Sequence, residues 1–117
     1  MPDYQRKGTS QMIYVIEIAM DEYKEDYGNY PEGKNGALAN ILLGDNSREK
    51  RYLHQGSIFL RNGLMTDLWK HPLQINVEEG TLAIISAGRN RQFGDADDLT
   101  SQLARERHRI QEKKDSN

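Results

Sequence analysis

The sequence contains no cysteine, which removes disulfides, thiolate metal ligands and thiol nucleophiles at a stroke. It has no apolar run near the roughly 20 residues that a membrane-spanning helix needs. The longest apolar neighbourhood, Met12 to Met20, is interrupted by Glu17, and Met1 to Ser10 lacks the apolar core of a signal peptide. Neither sign of charge dominates. Sixteen Lys and Arg face 18 Asp and Glu, a formal net charge of -2, so the clustered basic surface of a duplex-DNA binder is not expected. Histidine is scarce, and His54, His71 and His108 stand too far apart for a zinc-ligand spacing. No glycine-rich phosphate loop is present, so any energy from nucleotide hydrolysis would have to come from another protein.

What remains is a polar chain of 117 residues, suited to one domain with one modest core. From Ser10 to Tyr27, Met12, Ile16, Ala19, Tyr23 and Tyr27 recur at three- and four-residue steps, which predicts an amphipathic helix over 10–28. Thr9 or Ser10 can cap its start, Gly28 can end it, and Pro31 forbids its continuation. Residues 29–66 read as loops around a short helix from Ala37 to Leu43, followed by extended pieces over Tyr52 to Gln55 and Ser57 to Arg61. Alternation in Pro72 to Val77 and an apolar run in Thr81 to Ser86, joined by Glu79-Gly80, predict an antiparallel hairpin within 67–86. Residues 87–98 form an acidic, glycine-containing loop, and 99–117 a charged tail in which Arg105 to Lys114 is a solvated helix or disordered. The fold class expected is α+β, a long helix packed on a small antiparallel sheet with a loop-rich middle.

Three stretches resemble one family in the order that family has them. The first is Glu22-Tyr23-Lys24-Glu25-Asp26-Tyr27-Gly28-Asn29-Tyr30-Pro31, a tyrosine-bearing helix end running into a Tyr-Pro turn. The second is Asp67-Leu68-Trp69-Lys70-His71-Pro72, similar to an Asp-Pro-Trp-Gly-Asn-Pro pattern ahead of a strand. The third is Ser86-Ala87-Gly88-Arg89-Asn90 with Asp97-Asp98-Leu99, similar to a Ser-x-Gly-x-Asp-Gly loop closing on paired aspartates. Together these residues resemble the major pseudopilins of type II secretion, type IV pilin-like proteins. Leu68, Lys70 and His71 depart from the pattern's proline, glycine and asparagine, and Asn90 and Arg91 stand where it often has Asp and Gly.

The resemblance implies a pilin-like head with Tyr30, Pro31, Asp67, Trp69 and Pro72 as structural motif residues. It implies a structural subunit of a secretion fibre, with copies of itself and other secretion components as partners. The periplasmic head of an inner-membrane-anchored protein is the expected location, with the hydrophobic anchor helix in a longer chain ahead of Met1. It also implies a structural calcium ion held by the Asp97 and Asp98 carboxylates, the Asn90 amide oxygen and the Ala87 carbonyl; hard oxygen donors on a flexible loop suit Ca²⁺. Without such a cation, Asp95, Asp97 and Asp98 would be solvated turn residues, one of them capping a helix from Leu99. The spacing is not that of an EF-hand. Enzymatic function is not expected. Ser86 lacks a nucleophile elbow, and Glu22 and Asp26 lie on a face predicted to be solvated. An adaptor that uses the same fold to bind a protein partner is the alternative.

Overall fold

The computed structural model describes residues 4–88 and 99–100. Helix α1 spans Tyr4–Tyr27 and buries Met12, Ile13, Ile16, Ala19 and Met20 on one side. The stripe predicted from the spacing is therefore the one that faces the core, and Tyr23 and Tyr27 extend it as half-buried rings. The helix starts earlier than Ser10 because Gly8 and Thr9, poor helix formers in isolation, face a neighbouring turn. A Cβ on Gly8 would lie 2.7 Å from Leu68 Cδ2, and Thr9 is fully buried with its hydroxyl accepting a hydrogen bond from the Leu68 amide at 3.1 Å. Thr9 is thus a tertiary contact inside the helix and not its cap. At the other end Gly28 adopts a φ of 88° and donates its amide to the Lys24 carbonyl at 2.7 Å, as expected of a left-handed stop.

Helix α2, Asn35–Leu42, begins two residues before the expected Ala37 and buries Leu38, Ala39 and Leu42 against α1 and the first hairpin. The extended piece expected over Tyr52 to Gln55 is instead loop followed by a single 3-10 turn, Gln55–Ser57. Both Tyr52 and Leu53 donate their amides to the Leu42 carbonyl, which holds the chain against the end of α2. Strands β1, Phe59–Arg61, and β2, Leu64–Thr66, then form a two-stranded hairpin over Asn62-Gly63. Its turn residues have φ values of 54° and 79°, the left-handed pair that matches strand twist in a two-residue turn.

The second sheet has the order β3-β4-β5. Strand β3, Gln74–Glu78, pairs antiparallel with β4, Thr81–Ser86, across the Glu79-Gly80 turn predicted from the sequence. Strand β3 starts two residues after Pro72, which lacks an amide hydrogen; the Leu73 amide is already donated to Met65 O at 2.9 Å. Strand β5, Leu99–Thr100, pairs with β4 through Ile85↔Thr100 and Ser86↔Leu99. A strand here replaces the helix start considered for Leu99. The segment Arg105 to Lys114 lies outside the described residues. Helix α1 lies on β4 and β5, and with α2, Leu53, Met65, Leu73, Ile75 and Ile84 it encloses one core. The α+β architecture is as expected.

Candidate functional site

The second sequence motif folds into a knot around Asp67. The residue is 1% exposed, and burial of a carboxylate requires partners that replace its water. Three are present. The Trp69 and His71 amides both donate to Oδ1 at 2.9 Å, and the Ser86 hydroxyl donates to Oδ2 at 2.7 Å. The backbone closes the same turn, with the Asp67 amide on the His71 carbonyl and the Lys70 amide on the Asp67 carbonyl. Ser86 Oγ in turn accepts the Gly88 amide at 3.1 Å. One buried carboxylate therefore couples the 67–72 turn to the end of β4.

The departures from the family pattern have structural consequences here. Leu68 keeps an amide hydrogen that a proline would lack, and Thr9 accepts it. Lys70 adopts a φ of 68°, the left-handed conformation for which glycine is the usual residue. The turn thus retains the glycine geometry at a cost of about 1–2 kcal/mol for a residue with a Cβ. Trp69 is half-buried against the core, while Pro72 is exposed and bridges to Thr66.

Asn35 is a second buried polar hub and was not singled out by its sequence context. Its Nδ2 donates to the Met65 and Leu73 carbonyls, each at 2.8 Å, and its Oδ1 accepts the Met65 amide. It fastens the first turn of α2 to β2 and to the lead-in to β3.

The far end of α1 is tied by its tyrosines. Tyr27 stacks on Tyr23 with ring centroids 4.2 Å apart, and its hydroxyl donates to Asn46 Oδ1 while accepting from Ser47 and Arg48 of the following loop. Tyr30 donates to Asp21 Oδ1 at 2.7 Å under the Lys24 ammonium, and Pro31 beside it is fully buried. Tyr52 donates to Asp26 Oδ2 at 2.7 Å, and Lys50 lies 2.9 Å from the same oxygen. The Tyr52 hydrogen bond first, and the Lys50 contact second, hold the Asp26 carboxyl below its ordinary range. A lowered folded value stabilises the fold above the usual carboxylate pKa of about 3.9 and is lost as pH falls through the folded value. Tyr52→Phe is expected to flatten the loss of stability in the acid interval below the usual carboxylate pKa of about 3.9. Urea midpoints measured across that interval check this; parallel curves for the two proteins would refute it.

Of the residues expected to hold calcium, Ala87 is fully buried directly after β4. Asn90, Asp97 and Asp98 lie outside the described residues. Among the described residues no group of three or more His, Asp or Glu side chains could hold a metal. Pairing of Ser86 with Leu99 brings the two ends of the 87–98 segment to one rung of the sheet.

The model of the family described as type II secretion system protein G matches residues 3–102. None of the curated proteins matches the chain. Among solved structures the chain is similar to the major pseudopilin from the type 2 secretion system of enterohaemorrhagic Escherichia coli. The TM-score is 0.53 at 18% identity, over 83% of this chain and 85% of that one. Likeness at that identity speaks for the fold, while the family match spans α1, both sheets and the Asp67 knot. The chain belongs to the type II secretion system protein G family, the major pseudopilins, and is a structural subunit of the secretion pseudopilus.

Proposed function

We propose that copies of this head stack along a pseudopilus whose growth moves exported proteins outward from the periplasm. In this reading α1 continues an anchor helix held in the inner membrane. The observation that carries the proposal is the attachment of α1 to the head near both of its ends. Thr9 and Gly8 meet the Asp67 turn, while Asp26 and Tyr27 meet the loop after α2. A helix fastened in this way moves with its head as one body, as a subunit pushed along a fibre must. Its role is mechanical, and the force comes from an ATPase elsewhere in the machine. Coexpression with the secretion machinery, followed by shearing and electron microscopy, is expected to yield fibres that bind antibody against this chain. Fibres that form without this antigen would sink the proposal.

The same reading assigns a structural calcium ion to the loop after β4. The donor set suits it: two carboxylates, an amide oxygen and a backbone carbonyl are hard oxygen ligands. In sequence Ala87 follows Ser86 and Asp98 precedes Leu99, the two residues that pair where β4 and β5 meet. Millimolar calcium is expected to raise the unfolding midpoint relative to excess EDTA. An ion at about 100 times its dissociation constant adds roughly 2.7 kcal/mol. Asp97→Ala/Asp98→Ala should abolish the rise, and equal midpoints with calcium and EDTA would remove the ion from the proposal.

A further inference from the structure

Two large apolar side chains stand out among the described residues by their exposure, Tyr4 at 66% and Phe59 at 57%. They are far apart in sequence, yet both line one groove of about 480 Å³ between the start of α1 and the first hairpin. Leu60 and Leu68 contribute to its walls, and Arg61 and Lys70 supply two cations. The acid in its lining, Asp67, is buried and already engaged by two amides and a hydroxyl. The groove is therefore apolar within and cationic where it meets water. A fitting occupant has an aliphatic side chain followed by carboxylates.

Such an element exists on the same chain. Ile18, another exposed large apolar residue at 40%, is followed on its own helix face by Glu22 and Glu25, both exposed. Spacings of four and seven residues align the three side chains as a single stripe on α1. None of Glu22, Glu25, Arg61 or Lys70 makes an ion pair among the described residues. The stripe cannot fill its own groove, because Tyr4 and Ile18 share one helix and lie about 21 Å apart along it at 1.5 Å per residue.

We infer that the groove lined by Tyr4, Phe59, Arg61 and Lys70 receives the Ile18-Glu22-Glu25 stripe of a second copy of this chain. Ile18 enters between the two rings, and the two carboxylates meet the two cations. Groove and stripe are different surfaces, so the contact is heterologous and leaves a free groove at one end and a free stripe at the other, which propagates an open filament. The inference rests on the fibre reading and names the surfaces that would mate. Charge pairing of this kind sets register and partner choice more than raw affinity.

The absence of native cysteine makes the contact directly testable by cross-linking. A chain carrying Phe59→Cys is mixed in equal amounts with one carrying Ile18→Cys and oxidised briefly. The mixed disulfide is expected to exceed the half share that random pairing gives, and to fall as salt screens the charges. Arg61→Glu/Lys70→Glu in the Phe59→Cys chain should remove the excess. Glu22→Lys/Glu25→Lys in the other chain should restore it. These positions are exposed, and thermal melts of each variant confirm that folding is unchanged. Random cross-linking overturns the contact. If fibres labelled by antibody still form in the coexpression assay, the fibre reading survives that failure; if none form, both fall. Binding to phosphatidylglycerol vesicles that is lost in Arg61→Glu/Lys70→Glu, together with random cross-linking, would assign the groove to a lipid surface and overturn the second copy as its occupant.

Discussion

Asn35→Ala is expected to lower the unfolding free energy by about 3–5 kcal/mol, a large share of the roughly 5–15 kcal/mol available to a domain of this size. Asn35 is only 8% exposed, and its amide satisfies the Met65 amide and carbonyl and the Leu73 carbonyl. Alanine leaves the Met65 amide and the Leu73 carbonyl without that partner, each at a cost of about 1–3 kcal/mol, while the Met65 carbonyl loses one of two donors and keeps the Leu73 amide. Asn35→Asp separates the polar pattern from the shape. The carboxylate keeps the acceptor for the Met65 amide but sets a second oxygen against two carbonyls. It should therefore be at least as damaging as alanine near neutral pH, and less so in acid, where the protonated carboxyl can donate once. Urea unfolding of both variants decides the matter. An Asn35→Asp protein as stable as the parent at neutral pH would show that the hydrogen bonds to Met65 and Leu73 are not what holds α2 to the sheets.

Asp67→Ala is expected to cost about 4 kcal/mol or more, because hydrogen bonds to a charged group contribute about 1.5–3 kcal/mol each and three are lost together. The Trp69 and His71 amides, oriented by the turn toward one oxygen, would be left facing a cavity. Ser86→Ala removes a single donor from the opposite oxygen and should cost about 1–2 kcal/mol. A double-mutant cycle of the two substitutions should show strong coupling, since the Ser86 hydroxyl contacts Asp67 directly at 2.7 Å. Hydrogen exchange adds a local readout. The Gly88 amide, which donates to Ser86 Oγ, should lose protection in Asp67→Ala if the carboxylate orders the chain directly after β4. Full additivity in the cycle, with Gly88 protection unchanged, would reduce Asp67 to a local turn residue.

The contrast between Asn35 and Asp67 bears on how such a sequence is read. Asp67 lay within a recognisable ordered motif, so its importance was visible although its partner on β4 was not. Asn35 preceded a short apolar stretch with nothing local to mark it; its three partners lie 30 and 38 residues away. Thr9 misled for a related reason. A threonine ahead of a periodic stretch is an ordinary N-cap signal, and only the approach of Leu68 shows that its hydroxyl serves a distant amide. Strand β5 also escaped, because two residues carry no periodicity and acquire strand character only from the pairing that β4 offers. The metal-ligating roles expected of Asn90, Asp97 and Asp98 came from resemblance alone, and all three lie outside the described residues.

By itself the sequence determined the elements whose signals are local. These are the apolar stripe of α1 with Gly28 as its stop, the Glu79-Gly80 hairpin, the lack of thiol chemistry, and the ordered motifs of a pseudopilin. Each depends on residues within a few positions of one another, where side-chain period and turn geometry act directly. Tertiary structure alone decided that α1 starts before Gly8, that Asn35 and Asp67 are the buried polar hubs, and that Tyr4 and Phe59 share a groove with Arg61 and Lys70. Those outcomes depend on which groups lose water together when distant segments meet. The desolvation of a polar group or ring is a property of the packed chain and is not encoded at any single position.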